Sequence, residues 1–226
     1  MIPAVASWSG GKDSCLAYYK AIQSGFNVKY LVNFVGKDGR TSGHGLRREV
    51  LALQAEALGV PIIQEVTTWE TYEERFKDVM SRLKQKGINA AVFGDIWIPE
   101  HLEWVAKVCN EIGIAYVEPL WNHDTLELLK EFISLGFRAI VVSVRADLLS
   151  DDWLGREIDY KFIEDMIAIN KTRNIDLCGE RGEYHTLVID GPIFRKRLRI
   201  VERNKIFGKD VNKWLFDIQR CELEDK

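Results

Sequence analysis

The sequence predicts an α/β protein, in which a parallel sheet with helices on both faces is followed by a smaller α+β C-terminal domain. Short apolar runs alternate with helical patterns over residues 1–117. Strands that alternate with helices are joined by crossovers, which make the strands parallel and cover both faces of the sheet. After residue 123 this alternation stops. We therefore expect two domains, residues 1–123 and 124–226, packed closely because no Gly/Ser-rich linker separates them.

Five strands and four helices alternate in the predicted N-terminal domain. The strands span residues 3–7, 29–35, 62–66, 90–93 and 114–117, and the helices span 13–24, 46–58, 71–86 and 99–111. Gly25, Gly59 and Gly87 follow three of the helices, as expected for C-terminal caps. Pro99 suits the first position of the fourth helix. Because ligands of such sheets bind beyond the carboxyl ends of the strands, the segments after each strand are candidates for the site.

The predicted C-terminal domain contains two helices and three strands. Asp124 can cap a helix that continues to residue 134. The second helix spans residues 159–171, and the strand-like segments span 137–144, 184–189 and 196–201. No long helix separates the last two strands, so this domain is α+β rather than a continuation of the parallel sheet.

Composition excludes several classes of protein. Lys and Arg total 31 against 34 Asp and Glu, for a formal charge of −3, which argues against strong nucleic-acid binding. No apolar run reaches the roughly 18 residues of a membrane span. The first residues lack the basic segment of a signal peptide, and the four cysteines are widely spaced with no C-x-x-C pair. We expect a reduced, cytoplasmic protein that does not bind membranes.

The segment Ser9–Ser14, Ser-Gly-Gly-Lys-Asp-Ser, joins the first strand to the first helix. It fits neither a Walker A loop nor G-x-G-x-x-G. Gly10 and Gly11 let the backbone approach an anion, and the free N–H groups of the helix start point at it. Lys12 adds a positive charge, and Asp13 suits Mg²⁺. The chemistry favours a phosphate site with its metal; the alternative is an ordinary strand-to-helix turn with capping side chains.

A second dense cluster lies at residues 178–188. Glu180, Glu183 and His185 fall within six residues of one another, among glycines that permit tight turns. Two carboxylates and an imidazole can position a cation, accept a proton or hold an amine. The alternative is a polar turn before a strand, with these side chains solvated.

The first motif resembles the pyrophosphate loop of the ATP pyrophosphatases, or PP-loop enzymes, which share the adenine nucleotide alpha-hydrolase-like fold. The resemblance implies that ATP transfers AMP to an oxygen of the substrate and releases pyrophosphate. It also implies ATP and Mg²⁺ as cofactors, with Asp13 as a metal ligand. Asp95, just past the fourth predicted strand, is a second candidate metal ligand. The nucleotide-binding residues would be Ser7, Ser9, Gly10, Gly11, Lys12, Asp13, Ser14, Phe34 and His44.

Further segments make the resemblance more specific. Together with the loop, residues 94–96 (Gly-Asp-Ile), 118–121 (Glu-Pro-Leu-Trp), 153–156 (Trp-Leu-Gly-Arg) and 179–184 (Gly-Glu-Arg-Gly-Glu-Tyr) resemble the diphthine–ammonia ligase family. The chain departs from the family's usual Gly-Glu-Gly-Gly-Glu at Arg181. The resemblance implies ATP-dependent amidation of diphthine on translation elongation factor two to diphthamide, through an acyl-adenylate, with free ammonium as nitrogen donor.

The resemblance also implies roles for the candidate catalytic residues Lys12, Asp95, Glu180, Glu183 and His185. The last three are unranked candidates for binding ammonium and accepting its proton. Asp95 follows the fourth strand, where it could hold Mg²⁺ or substrate, or simply cap a helix. His44 lies in a glycine-rich loop that could close over ATP, or it could be an exposed loop residue.

Other interpretations stay open at this point. One is another PP-loop reaction, either tRNA thiolation or amidation of a small metabolite. Another is a regulator that binds adenine nucleotide without turnover. Arg195, Arg197 and Arg199 alternate along a predicted strand, where they could dock an acidic partner or RNA, or form a solvated face. A homodimer is left open by the sequence.

Overall fold

The computed structural model describes residues 1–226, which form nine strands and six α-helices. The strands are β1 (Ile2–Ser7), β2 (Phe26–Val35), β3 (Ile62–Val66), β4 (Ala90–Val92), β5 (Ala115–Val117), β6 (Arg138–Arg145), β7 (Tyr184–Asp190), β8 (Lys196–Gly208) and β9 (Lys213–Asp225). The helices are α1 (Lys12–Gln23), α2 (Arg48–Leu58), α3 (Tyr72–Gln85), α4 (Pro99–Ile112), α5 (Thr125–Ser134) and α6 (Tyr160–Arg173). None of these helices is long and apolar enough to cross a membrane.

The first five strands form one parallel sheet in the order β3-β2-β1-β4-β5. Its centre is β1, whose residues Ala4, Val5 and Ala6 are buried, as expected for a strand covered on both faces. From β1 the chain first adds β2 and β3 on one side and then β4 and β5 on the other. At this change of direction, between β1 and β4, a crevice opens at the carboxyl ends of the strands. The prediction of a parallel sheet with helices on both faces is confirmed.

Apolar side chains at helical spacing hold α3 and α4 on one face of this sheet. Phe76, Val79, Met80 and Leu83 of α3 recur at intervals of three or four residues and are fully buried. They pack with residues of α4 and with the inner face of β1 and β4 in a separate apolar cluster. The predicted helix therefore presents one apolar stripe to this face of the sheet and forms the smaller of the two core clusters.

The last four strands form an antiparallel sheet in the order β7-β6-β9-β8. One continuous apolar core joins this sheet to α1, α2 and the other face of the parallel sheet; it includes Leu16, Leu51, Val141 and Leu187. This packing puts β7 against α1, directly beside the glycine-rich loop. The predicted smaller α+β part is confirmed, and the division at residue 123 stays a prediction.

The last strand, β9, was not predicted, and β8 extends well beyond residue 201. The two strands pair from Lys196↔Asp225 to Gly208↔Lys213. Arg197 and Arg199 share one face of β8, but each is paired with Glu222 or Glu224 across the hairpin. Arg195 lies before the strand, with its guanidinium against Gly59. Arg197 and Arg199 therefore form a charge-paired strand face rather than a free basic surface, and Arg195 is not part of that face.

Candidate functional site

The glycine-rich loop Ser9–Ser14 lies at the carboxyl end of β1, beside the crevice. The N–H groups of Ser9, Gly10, Asp13 and Ser14 donate to no protein acceptor. Gly10 has a φ of +82°, and a Cβ there would lie 2.4 Å from a side-chain carbon of Leu51. Only glycine can adopt this positive φ and also leave room for the Leu51 side chain. Several free donors at the start of a helix form the arrangement that binds phosphate oxygens.

Lys12 ties the loop to the C-terminal half of the chain. Its side chain is 4% exposed, and its ammonium donates to Asp13 Oδ2 at 2.8 Å and to the carbonyl oxygen of Cys178. Burial lowers the pKa of Lys12, but attraction to Asp13, Tyr184 and Cys178 outweighs it and leaves the pKa well above its ordinary value. The backbone N–H of Lys12 donates to Thr186 Oγ1 at 3.0 Å. The two motifs found in the sequence therefore meet at this lysine.

Gln54 is a loop-supporting residue that the sequence analysis missed. Fully buried on α2, it accepts from the indole of Trp8 at 2.7 Å. Its amide donates to the carbonyl oxygens of Gly10 at 3.0 Å and Val188 at 2.8 Å. The available signal was a glutamine on the apolar stripe of a helix, a position where a polar group must find partners.

His44, His185 and Lys213, which we call the basic cluster, lie on one side of the loop. The two imidazole rings stack with centroids 4.4 Å apart, and Lys213 Nζ lies 3.1 Å from His185 Nε2. Burial lowers the pKa of His44 to about 4, and burial also holds the pKa of His185 well below its usual range. His185 therefore lies with His44 beside the loop, whereas the sequence grouped it with Glu180 and Glu183.

Asp95, Glu118 and Glu180, which we call the carboxylate cluster, lie beyond β4 and β5. Glu180 Oε1 accepts from the backbone N–H of Ile96 at 2.8 Å. Burial, followed by the charges of Asp13 and Asp95, raises the pKa of Glu180 to about 7. Both oxygens of Glu118 are buried without a hydrogen-bond partner, and burial, with the charge of Asp95, raises its pKa to about 8. Because no positive side chain is paired with Glu118 or Glu180, the carboxylate cluster attracts a cation.

The predicted magnesium ligands divide between two groups. Ligand atoms of Asp95, His101 and Glu180 lie within 4.8 Å of one another, and His101 Nδ1 is 2.8 Å from Asp95 Oδ1. Asp13 is outside this set, with Oδ2 paired to Lys12. Gly94 packs directly on the backbone of Asp13, where a Cβ would approach to 2.9 Å. His101 was not predicted, because it stands alone in the first turn of α4, outside any motif.

Glu183 has a different environment from the other predicted acids. The residue is 2% exposed; Oε1 accepts from the N–H of Asp176 at 3.0 Å, and Oε2 is buried without a partner. Asp176 in turn accepts from the N–H groups of Cys178 and Glu180. Glu183 therefore holds the turn that carries Glu180, rather than facing the crevice beside it.

Two predicted nucleotide-binding residues lie apart from these clusters. Ser7 ends β1 in register with Val32, immediately before the loop. Phe34 packs edge-on against Tyr72, with ring centroids 5.0 Å apart, and against Phe76 of α3. Arg181, the departure from the family motif, is exposed and stacks over Trp97 at 4.7 Å. The turn at this position keeps its flanking glycines at positive φ.

Two family models match the chain. The Diphthamide synthase N-terminal domain matches residues 2–116, and the Diphthamide synthase C-terminal domain matches residues 124–223. A relative from Schizosaccharomyces pombe named Diphthine--ammonia ligase is 27% identical over 238 residues, which cover 96% of this chain and 39% of that protein. A relative of the same name from Bos taurus is 28% identical over 225 residues, which cover 88% of this chain and 82% of that protein.

A solved structure also matches most of the chain. It is described as the predicted subunit of tRNA methyltransferase from Methanocaldococcus jannaschii DSM. The match has a TM-score of 0.46 and 18% identity, and it covers 85% of this chain and 98% of that one.

Proposed function

The chain belongs to the diphthamide synthase family, and we propose that it amidates diphthine on translation elongation factor two, using ATP and ammonium. Matches to both domain models confirm the predicted resemblance. The named relatives confirm the predicted enzyme class, a ligase that forms a carbon–nitrogen bond. The substrate, the adenylate mechanism and the residue roles below are our proposal.

One observation carries the proposal: Lys12 joins the phosphate-binding loop to the 178–186 segment. Its side chain reaches the carbonyl oxygen of Cys178, and its N–H reaches Thr186. The loop with its free N–H groups and the carboxylate cluster therefore border the same crevice. This supports a division of labour in which residues 1–123 bind ATP and residues 124–226 cover the site and bind the substrate.

In the first step, a carboxylate oxygen of diphthine attacks the α-phosphorus of ATP. The bond between the α-phosphorus and the bridging oxygen breaks, which gives an acyl-adenylate and pyrophosphate. The free N–H groups of the loop and the Lys12 ammonium stabilise the negative charge that builds on the leaving group. Because Lys12 is already fixed by Asp13 and Cys178, it needs little reorganisation.

In the second step, ammonia attacks the acyl carbon, AMP leaves, and one proton is released. Ammonium is a cation with four N–H donors, which suits buried carboxylates that lack partners. Glu118 offers two such oxygens, and Glu180 lies in the same carboxylate cluster, with one oxygen bound to the N–H of Ile96. Glu183 also has one unpartnered oxygen, but its other oxygen holds the N–H of Asp176, and His185 lies with Lys213 in the basic cluster. Among the three residues predicted for ammonium, we therefore assign this role to Glu180, assisted by Glu118.

The donor chemistry also fits Mg²⁺, which prefers carboxylate oxygens. Asp95 would supply such an oxygen, with His101 orienting it, and Glu180 is left free for ammonium. When bound, the ion would neutralise charge on the phosphates of ATP.

Product analysis tests the function. We expect AMP and pyrophosphate to form only when ATP, ammonium and diphthine-bearing elongation factor are all present, with the amide detected by mass spectrometry. ADP and orthophosphate would contradict the assignment. Amidation of a small metabolite or thiolation of tRNA would indicate another PP-loop reaction, and binding without turnover would indicate a regulator.

The variant Lys12→Met tests the loop. Removing one fixed charge from the leaving-group site should lower the rate of pyrophosphate release about 100- to 1000-fold. Lys20→Met, on the same helix but paired with Glu131, is the matched control. Equal pyrophosphate release by Lys12→Met and the control would remove Lys12 from the proposed mechanism.

A further inference from the structure

The basic cluster brings together three nitrogen-bearing side chains from distant parts of the chain. His44 comes from the loop after β2, His185 from β7, and Lys213 from the start of β9. The imidazole rings are 4.4 Å apart, and Lys213 Nζ is 3.1 Å from His185 Nε2. All three side chains are partly exposed, so a ligand from solvent can reach them.

No carboxylate balances this cluster. Lys12 is paired with Asp13 and Arg145 with Asp147, but Lys213 forms no ion pair. Apart from each other, the charged groups that act on the two histidines are Lys12 and Lys213, both positive. A partly buried ammonium beside two imidazoles is short of negative charge, and an anion would supply it.

Two glycines, Gly11 and Gly43, let the backbone approach the cluster closely, and a third, Gly182, lies beside it. A Cβ at Gly11 would lie 2.8 Å from His44 Nε2, and one at Gly43 would lie 3.0 Å from His185 Nε2. A Cβ at Gly182 would lie 3.8 Å from His185 Nε2 and 3.9 Å from Lys213 Nζ. Gly11 belongs to the phosphate-binding loop itself. The cluster therefore continues the loop's donor surface on the side away from the carboxylate cluster.

We propose that Lys213, together with His185 and His44, binds the terminal phosphate of the nucleotide and retains pyrophosphate after cleavage. The inference rests on the proposed function, since it takes the loop as the site of the triphosphate. It gives the two sides of the crevice different ligands: polyphosphate oxygens on the basic side, and ammonium with the acyl group on the acidic side. Lys213 is then a phosphate-binding residue that no sequence motif contains.

Calorimetric titration with inorganic pyrophosphate and Mg²⁺ tests this directly, without turnover. Lys213→Met should bind pyrophosphate about 10- to 100-fold more weakly than the wild type, as expected for a lost charge-assisted hydrogen bond. Lys213→Arg should stay within a few-fold. Lys209→Met removes the same charge from an exposed neighbouring position and should bind normally. AMP, which lacks the terminal phosphates, should bind all variants equally.

The outcomes separate the inference from the function. Equal pyrophosphate affinity in Lys213→Met and Lys209→Met would overturn the inference alone, and so would equal losses of AMP and pyrophosphate binding. A wild type that binds neither ATP nor pyrophosphate would overturn both proposals. If Lys213→Met does not fold, wild-type NMR decides: pyrophosphate should shift the ring signals of His44 and His185, and unchanged signals would refute the inference.

Discussion

At the scale of single residues, Gln54 shows how one buried side chain shapes the phosphate-binding loop. Its amide oxygen accepts from Trp8, and its amide nitrogen donates to two carbonyl oxygens, those of Gly10 and Val188. These bonds connect α2, the loop and β7. Because the loop has a positive-φ glycine and several free N–H groups, its shape depends on such outside support.

The variant Gln54→Leu tests this support. It preserves volume but leaves the indole N–H of Trp8 and the carbonyl oxygen of Val188 buried without a partner. We expect a loss of about 1–3 kcal/mol in the free energy of unfolding, measured by urea denaturation. Gln64→Leu, which removes one half-buried bond to Arg48, is the control and should cost about 1 kcal/mol or less. Equal losses in both variants would show that the bridging role is unimportant.

The sequence predicted those site residues that stand in dense local motifs. Lys12 and Glu180 follow from short runs whose residue types suit phosphate and ammonium. Lys213 and His101 could not be predicted, because each stands alone in the sequence and reaches the site only through tertiary packing. Glu118 was noted as part of a motif, but its unpartnered burial depends on what surrounds it in space.

At the scale of elements, the N-terminal helices and strands were predictable because each carries its own periodic pattern and terminal cap. The strand β9 was not, because its stability depends on pairing with β8 over the whole length of both strands. Charged residues occupy much of this hairpin, so its sequence lacks the alternation of apolar and polar residues that predicts a strand. Its role is to hold Asp217 and Lys213 over the N-terminal half.

Asp217 of β9 anchors the loop that carries His44. It is buried and accepts from Arg40 at 2.8 Å and from Arg47 at 3.0 and 3.1 Å. These hydrogen bonds, with that from Arg47 the largest, lower the pKa of Asp217. A carboxylate with a lowered pKa contributes stability above its unfolded pKa, about 3.9, and that stability is lost as the pH falls through the folded pKa.

The variant Asp217→Asn should therefore be destabilised at neutral pH and should approach the wild type in acid. We expect the free energy of unfolding to fall by about 1–3 kcal/mol at pH 7. This loss is smaller than the loss from breaking a fully buried ion pair, because both arginines are partly exposed. Thermal unfolding from pH 7 to pH 3 measures the difference, and hydrogen exchange should rise in residues 36–47. Asp210→Asn, at an exposed position, is the control. A loss that does not diminish in acid would contradict the ion-pair explanation.

At the scale of the whole molecule, the site lies between a parallel and an antiparallel sheet that share one continuous core. Lys12 joins the two halves through its bond to Cys178, and so does the hydrogen bond that the N–H of Ile96 donates to Glu180. A ligand bound at the loop contacts groups fixed by both sheets. Its binding energy should therefore stabilise the entire chain against unfolding rather than one half of it.

Differential scanning calorimetry tests this coupling. With ATP at 100 times its Kd, a ligand that binds only the folded chain adds about 2.7 kcal/mol to the free energy of unfolding. We expect one transition, shifted upward as a whole, because the two sheets unfold together. Lys12→Met, which lacks the bridging ammonium, should show a smaller shift at the same ATP concentration. If the scan instead separates into two transitions and ATP moves only one, the halves unfold independently, and the site must be assigned to the half that shifts.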